Sequence, residues 1–333
     1  MKALVTGASG FIGGAVAGAL LNKGVQVRAL LRPGTTANVA TPSAVEAFAG
    51  DLRDAKSVRA AAEGCDAIFH VGGMYSFSVP AAELHAVNVD GTLHVVTAAR
   101  EVGARLVHTS SISTIGGMRH GVVPDERQEA TGVAPGPYKE SKWEAELIVR
   151  EAVKRGLDAV IVNPTFPVGH GDVKPTPTGQ VIRDFLEGKI PAYLDTGMNV
   201  VDIDDVAEGH WLAFERGQRG QRYILGNENL MMRELLEMLA QISGRKAPRI
   251  RLPFAVALGL AHADALVSGR LTRARVPLEG VRTAQEIRFA SAAKAVRELG
   301  MPQTPVRTAL EKAVRWFQQP VPQPQRSAAH DRA

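Results

Sequence analysis

The chain has 333 residues, of which 45% are hydrophobic and 22% are charged, and its formal net charge is +5. That length predicts about two compact units, and the composition excludes a wholly disordered chain. The single cysteine, Cys65, excludes an internal disulfide, argues against a cysteine-based metal site and favours a reducing, cytoplasmic location.

The lysines and arginines are scattered along the chain, so we expect no nucleic-acid partner. No uncharged run reaches the length of about 20 residues that a membrane-spanning helix needs. The histidines are not spaced as metal ligands, and we assign no metal.

The first thirty residues have the pattern of a phosphate-binding turn. An apolar run at residues 2–6 predicts a buried strand, and a periodic helix follows the glycines at positions 7, 10 and 13. Glycines there permit a tight turn and close approach of a pyrophosphate, while the helix start offers unpaired N–H groups. The turn therefore predicts a dinucleotide site formed by Gly7, Ser9, Gly10, Phe11, Ile12 and Gly13.

The end of the next predicted strand, residues 25–31, indicates which dinucleotide binds. An acid there would bind the ribose 2′-hydroxyl of NAD, but this chain has Leu31 followed by Arg32. An arginine can pair with a 2′-phosphate, so the sequence favours NADP(H) over NAD(H), with an ordinary surface cation as the alternative. Asp51, at the end of a third strand, is placed to meet the adenine amino group.

Further strands are predicted at residues 65–73 and 105–113, each separated from the next by a helix. This alternation predicts an α/β fold with a Rossmann-type, doubly wound parallel sheet. Small residues at the end of the 65–73 strand would let the chain pass close to a flat cofactor.

Three side chains that occur in sequence along the chain predict the reaction chemistry. Tyr138 and Lys142 lie four residues apart on a predicted helix, which places them one turn apart on one face. A tyrosine is a poor acid at neutral pH, and a neighbouring ammonium is expected to lower its pKa. Ser111, 27 residues before Tyr138, would hydrogen-bond the substrate oxygen while Tyr138 moves its proton. We therefore expect a catalytic triad of these three residues.

The motifs TGASGFIGG, GDLRD, HVGG, NVDGT, HTSSISTIGG, YKESK and Asn163-Pro164 together resemble the extended short-chain dehydrogenase/reductase family over residues 1–315. Within that family the chain is similar to the branch of dihydroflavonol-reductase-like enzymes and hopanoid-associated sugar epimerases. The resemblance implies that the cofactor also contacts Leu52, His70, Val71, Gly72, Asn163, Pro164, Val168, Tyr138 and Lys142.

The resemblance implies an NAD(P)-dependent oxidoreductase or epimerase that transfers hydride at a hydroxyl or keto carbon of a sugar-like or polyol substrate. Ser111-Ile112-Ser113 replaces the Thr-Asp-Glu of the dehydratase branch, which argues against 4,6-dehydration. Arg32 suits the alternative, an NADPH-dependent ketone reductase of the dihydroflavonol-4-reductase type. A second alternative is a non-enzymatic NADP(H)-sensing regulator.

The organisation expected from these motifs is a cofactor domain at residues 1–170, to which part of 200–230 returns. Residues 171–315 would mainly form a smaller C-terminal α/β substrate lobe, and the polar tail at 318–333 is expected to be disordered. The apolar stretch at 253–267 predicts a helix packed in that lobe. Contact of this helix with a membrane surface or a lipid-linked substrate, and a homodimer, are left open.

Overall fold

A computed structural model describes residues 1–34, 44–75, 79–118, 121–130, 136–268 and 285–319. The elements in chain order are β1 (Lys2–Thr6), α1 (Phe11–Asn22), β2 (Gln26–Leu31), β3 (Glu46–Ala49), α2 (Ala55–Ala62), β4 (Ala67–His70), α3 (Ala81–His85), α4 (Gly91–Val102), β5 (Arg105–Thr109), α5 (Pro137–Lys154), β6 (Ala159–Pro164), β7 (Phe166–Val168), α6 (Pro177–Leu186), β8 (Ala192–Tyr193), β9 (Gly197–Asp202), α7 (Ile203–Arg216), β10 (Arg222–Leu225), β11 (Glu228–Met231), α8 (Met232–Ser243), β12 (Ile250–Arg251), α9 (Phe254–Ser268) and α10 (Val306–Gln318).

Seven strands form the central sheet in the order β3-β2-β1-β4-β5-β6-β10, and every neighbouring pair is parallel. The chain leaves β1 in one direction across the sheet and returns to β4 on its other side. A doubly wound sheet opens a crevice at this reversal, outside the carboxyl ends of the strands. The fold class predicted from the sequence is therefore confirmed.

Both faces of this sheet are covered by helices, as the apolar strands require. On one face, Val5 and Phe69 pack in the core layer under α1 and α7. On the other face, Leu4 and Ile68 pack with α2, α4 and α5. Cys65 is buried just before β4, where it packs as a small hydrophobe in the second of these layers.

A smaller lobe lies after β6. Its three-stranded sheet has the order β11-β9-β7, with β9 antiparallel to β11 and parallel to β7. Helices α6, α8 and α10 bury their apolar residues against it in a separate core. The boundaries proposed at residues 170 and 315 stay a prediction, and nearly all of the predicted tail, from residue 320 on, lies outside the described residues. Among the described helices, none is both long enough and apolar enough to cross a membrane.

Candidate active site

The glycine turn after β1 is closely packed against the end of β4. Gly7 has a φ of +74°, and a Cβ at this position would lie 2.6 Å from the Cα of Gly72. A Cβ on Gly13 would lie 2.1 Å from the Gly7 carbonyl oxygen. Helix α1 begins after Gly10 without any side-chain cap. The loop thus requires glycine, and the helix dipole and backbone N–H groups of α1 suit a phosphate.

Arg32 and Asp51 follow the neighbouring strands β2 and β3, as the sequence predicts, and Arg32 is exposed. The carboxylate of Asp51 accepts hydrogen bonds from Arg53, at 2.7 Å from Nη2 and 3.0 Å from Nε. This contact with Arg53, with a smaller contribution from the charge of Arg32, lowers the pKa of Asp51. Two arginines therefore lie near this carboxylate, and the sequence indicated only one of them.

His70 lies at the end of β4 with its ring buried. Its ring nitrogens lie 2.8 Å from the Thr6 hydroxyl and 3.0 Å from the Thr92 hydroxyl. Burial lowers the pKa of His70 to about 3, so the ring is neutral at physiological pH. The Thr6 hydroxyl also accepts a 2.9 Å hydrogen bond from the backbone N–H of Gly72. The His70 ring thus holds β4 against β1 and α4, leaving the backbone of residues 70–72 as the part that could meet a cofactor.

Ser111, Tyr138 and Lys142 come together at the carboxyl end of β5. The Ser111 hydroxyl hydrogen-bonds Tyr138, and it also caps a short 3₁₀ turn by accepting from the Ser113 N–H at 3.1 Å. Lys142 lies one turn after Tyr138 on α5, and its Nζ donates a 2.8 Å hydrogen bond to the carbonyl oxygen of Thr109. The Tyr138 ring packs edge-on against Tyr75, with 4.4 Å between centroids.

Burial dominates the protonation of the two titratable members of this group. It lowers the pKa of Lys142 to about 8, with the nearby Glu146 carboxylate opposing the shift. It raises the pKa of Tyr138, with the Ser111 hydrogen bond opposing the shift. The expectation that Tyr138 has a lowered pKa is therefore wrong for this structure. Removing the phenolate from water costs more free energy than the hydrogen bond with Ser111 restores. The Tyr138 hydroxyl is therefore held in its neutral form.

Glu146 is a site residue that the sequence reasoning missed. Its fully buried carboxylate accepts hydrogen bonds from Ser110, from Thr114 at 2.7 Å and from Asn163 at 3.1 Å. It also pairs with Arg222 of β10 at 3.1 Å. The signal was present, because positions 138, 142 and 146 repeat at four-residue spacing on one face of α5.

Asn88 is a second missed residue, although its motif was noted. It lies in a π-helical turn, Ala86–Asp90, between α3 and α4. Its side chain bonds both backbone groups of Met74 and donates a 2.9 Å hydrogen bond to the Ser141 hydroxyl. A Cβ on Gly73 would lie 3.3 Å from Asn88 Oδ1 and 3.9 Å from Lys142 Nζ. Such π-bulges are frequent at functional sites.

Asn163, Pro164 and Val168 are buried at the end of β6 and in β7. The Asn163 amide donates to the Ser111 carbonyl at 3.1 Å, while its Oδ1 is buried and lacks a hydrogen-bond partner within the described chain. Asn163 therefore supports the loop that carries Ser111. The contacts expected between these residues and a cofactor stay a prediction.

A charged group on the lobe side of the cleft was not foreseen. Glu286 pairs with Arg288 and, at 3.4 Å, with Lys139, the residue after Tyr138. The Arg288 side chain is nearly buried, and its backbone bonds Gly197 of β9. This group connects the smaller lobe to the start of α5. It therefore lies next to Tyr138 along the chain.

A model of the NAD dependent epimerase/dehydratase family matches residues 3–226. The chain is 40% identical to a putative dihydroflavonol 4-reductase from Synechocystis sp., with 94% of each chain covered. It is 34% identical to the sterol demethylase protein B of Methylococcus capsulatus, covering 96% of this chain and 99% of the relative. Among solved structures, a nucleoside-diphosphate-sugar epimerase from Pseudomonas aeruginosa superposes with a TM-score of 0.79 at 26% identity, covering 96% and 97% of the two chains.

Proposed function

The chain belongs to the NAD dependent epimerase/dehydratase family, and we propose that within it the protein reduces a ketone to a secondary alcohol with NADPH. The observation that carries the proposal is the group formed by Ser111, Tyr138 and Lys142 at the end of the cofactor crevice. Reduction requires a protonated donor, and the raised pKa of Tyr138 keeps that hydroxyl protonated. The similarity to a putative dihydroflavonol 4-reductase supports the same direction of reaction.

The proposed roles follow from the contacts. The bound nicotinamide would supply a hydride to the carbonyl carbon. Tyr138 transfers its hydroxyl proton to the carbonyl oxygen, so hydride and proton together yield the alcohol. Ser111 donates a hydrogen bond to the same oxygen, where charge develops in the transition state. Lys142, one turn along α5 and held by the Thr109 carbonyl, is assigned the role of stabilising with its charge the phenolate that remains on Tyr138.

NADPH is proposed over NADH because Arg32 and Arg53 both lie near Asp51. A 2′-phosphate is bound well by arginine, whereas an acid, absent after β2, would favour the 2′-hydroxyl. Replacing Arg32 by Ala is expected to raise KM for NADPH by about tenfold and to leave KM for NADH nearly unchanged. Arg59→Ala, on the exposed face of α2, is the control. Equal effects of Arg32→Ala on both cofactors would contradict the preference.

The test of the reaction is incubation of the purified protein with NADPH and a series of ketones. We expect consumption of one NADPH for each alcohol formed. Tyr138→Phe is expected to reduce turnover by about 100-fold or more, since it removes the proton donor. Tyr193→Phe, in the smaller lobe, should have no effect. Turnover of an identified substrate by Tyr138→Phe would contradict the mechanism. Absence of turnover by the wild type on every ketone would favour a non-enzymatic NADP(H)-binding role.

Epimerisation of a sugar-like or polyol substrate is the second candidate, favoured by the similarity to a nucleoside-diphosphate-sugar epimerase. Such a reaction returns the hydride to the same substrate and leaves no net redox change. Co-purified NAD with interconversion of two epimers and no NADPH consumption would establish it in place of reduction. A hopanoid-associated or lipid-linked substrate belongs to this second candidate function. Supplying the protein with substrates of these kinds tests it.

A further inference from the structure

Helix α9 is mostly apolar apart from His262 and Asp264, and large apolar side chains in its first turns are exposed. Ala257 and Ala261 are buried against the lobe, packing with Leu252 and Leu194. Val256 and Leu260, each one position before a buried alanine, lie on the adjacent face and are 48% and 55% exposed. Exposed apolar side chains that lie next to one another can mark a surface that another molecule covers. This face therefore calls for a covering surface.

The segment leading into α9 is strongly basic. Arg245, Lys246 and Arg249 are exposed, and no acidic partner pairs with them in the described ranges. Lys246 and Arg249 line an open cavity of about 730 Å³ together with Tyr193, Arg233 and the single acid Glu237. Ile250, which follows directly in β12, is 63% exposed. The cavity is joined to the start of α9, because Leu252 donates a 2.8 Å hydrogen bond to the Tyr193 carbonyl.

We propose that α9 and the basic segment 245–251 form a docking surface for an anionic lipid bilayer. Apolar side chains that insert at the headgroup level and adjacent cations that attract anionic lipids are the two features of interfacial binding. The charge argues against a second copy of this chain as the covering surface, since a two-fold contact would bring identical cations together. Lys246 and Arg249 in the cavity suit the phosphate of a lipid headgroup, whereas Arg233 already pairs with Glu237 at 2.7 Å.

Two double variants separate the apolar and ionic contributions. Val256→Glu with Leu260→Glu is expected to weaken binding to phosphatidylcholine vesicles that contain phosphatidylglycerol by at least about tenfold, because it places charges in the inserted face. Lys246→Gln with Arg249→Gln is expected to weaken it by about fivefold for each cation removed. Added salt should reduce binding by the wild type more than by this second variant.

Matched controls are available elsewhere on the surface. Leu93→Glu with Leu147→Glu alters two apolar side chains of similar exposure, 48% and 41%, on α4 and α5. Lys154→Gln with Arg155→Gln removes two exposed cations from the end of α5. Neither control should change co-sedimentation with the vesicles, and thermal unfolding checks that each variant is folded.

Vesicle co-sedimentation of the full chain, without cofactor or substrate, decides the proposal independently of the reaction. Binding that needs phosphatidylglycerol and is lost in the α9 variant supports it. Absence of binding at low salt overturns it, as does binding that the α9 variant leaves unchanged. If size-exclusion chromatography with light scattering shows a lipid-free dimer that the α9 variant converts to monomer, a second copy covers this face and the proposal is wrong.

Discussion

Lys142 is a buried cation whose charge depends on pH in the range where the protein is expected to work. Burial brings its pKa to about 8, so the charged form predominates below that pH and is lost above it. If the ammonium supports proton donation by Tyr138, kcat/KM for ketone reduction will be level near pH 7 and fall above about pH 8. A pH profile of kcat/KM checks this. A profile that stays level to about pH 10 would show that the charge of Lys142 is not needed.

Glu146 is expected to act as a positioning residue for Lys142, because its carboxylate raises the pKa of that ammonium. Replacing it by Gln should move the falling limb of the pH profile to lower pH. Arg222→Met is the matched control, since it breaks the same buried ion pair while leaving the carboxylate. Both variants should lower Tm, but only Glu146→Gln should move the limb. Identical profiles for the two variants would reduce Glu146 to a purely structural role.

The residues that could be predicted from sequence are those whose relation is local. Tyr138 and Lys142 lie on one helical turn, and Gly7, Gly10 and Gly13 lie in one loop, so spacing alone brings them together. Glu146 was missed because its partners come from β10 and from β6, and only folding brings them to α5. The raised pKa of Tyr138 was missed for a related reason, since its burial depends on residues distant in the sequence, such as Tyr75.

At the level of elements, the N-terminus of α7 is tied to α10 by a charge contact that no sequence pattern indicated. Lys312 Nζ lies 2.7 Å from both Asp202 and Asp204, and the Asp202 side chain is fully buried. Lys312→Met should lower the free energy of unfolding by about 3 kcal/mol, because it leaves a buried carboxylate without its cation. Denaturant unfolding measures this value. Arg307→Met, an exposed cation of the same helix, should change it by less than about 0.5 kcal/mol.

The π-helical turn at Ala86–Asp90 is a feature that the prediction of helices and strands from sequence misses. The sequence predicts a helix between the strands at residues 65–73 and 105–113, and the structure has α3, this turn and α4 in succession there. Nothing in the local pattern of hydrophobic residues marks the extra residue of a π-bulge. Its cause is tertiary, since Asn88 is held by Met74 and Ser141.

At the scale of the whole molecule, the parallel sheet could be predicted from the alternation of strands and helices, because a βαβ unit has one favoured hand. The sheet of the smaller lobe could not be predicted in this way. Its sheet combines β7, β9 and β11, which are separated by α6 and α7, and the antiparallel pairing of β9 with β11 has no turn motif of its own. The lobe therefore depends on long-range packing in its own core, which periodicity within single segments does not reveal.

The cofactor crevice also predicts how the stability of the whole chain responds to nucleotide. A ligand that binds only the folded state raises stability by an amount set by its concentration relative to Kd, about 2.7 kcal/mol at 100 times Kd. If Arg32 and Arg53, which both lie near Asp51, bind a 2′-phosphate as proposed, NADPH should raise Tm more than the same concentration of NADH. In Arg32→Ala the two shifts should converge, whereas in Tyr138→Phe the difference should persist, since that side chain is proposed to act on the substrate. A larger shift with NADH would mean that the adenine end of the crevice selects the 2′-hydroxyl despite its arginines. That result would favour epimerisation with a tightly held NAD over reduction with NADPH.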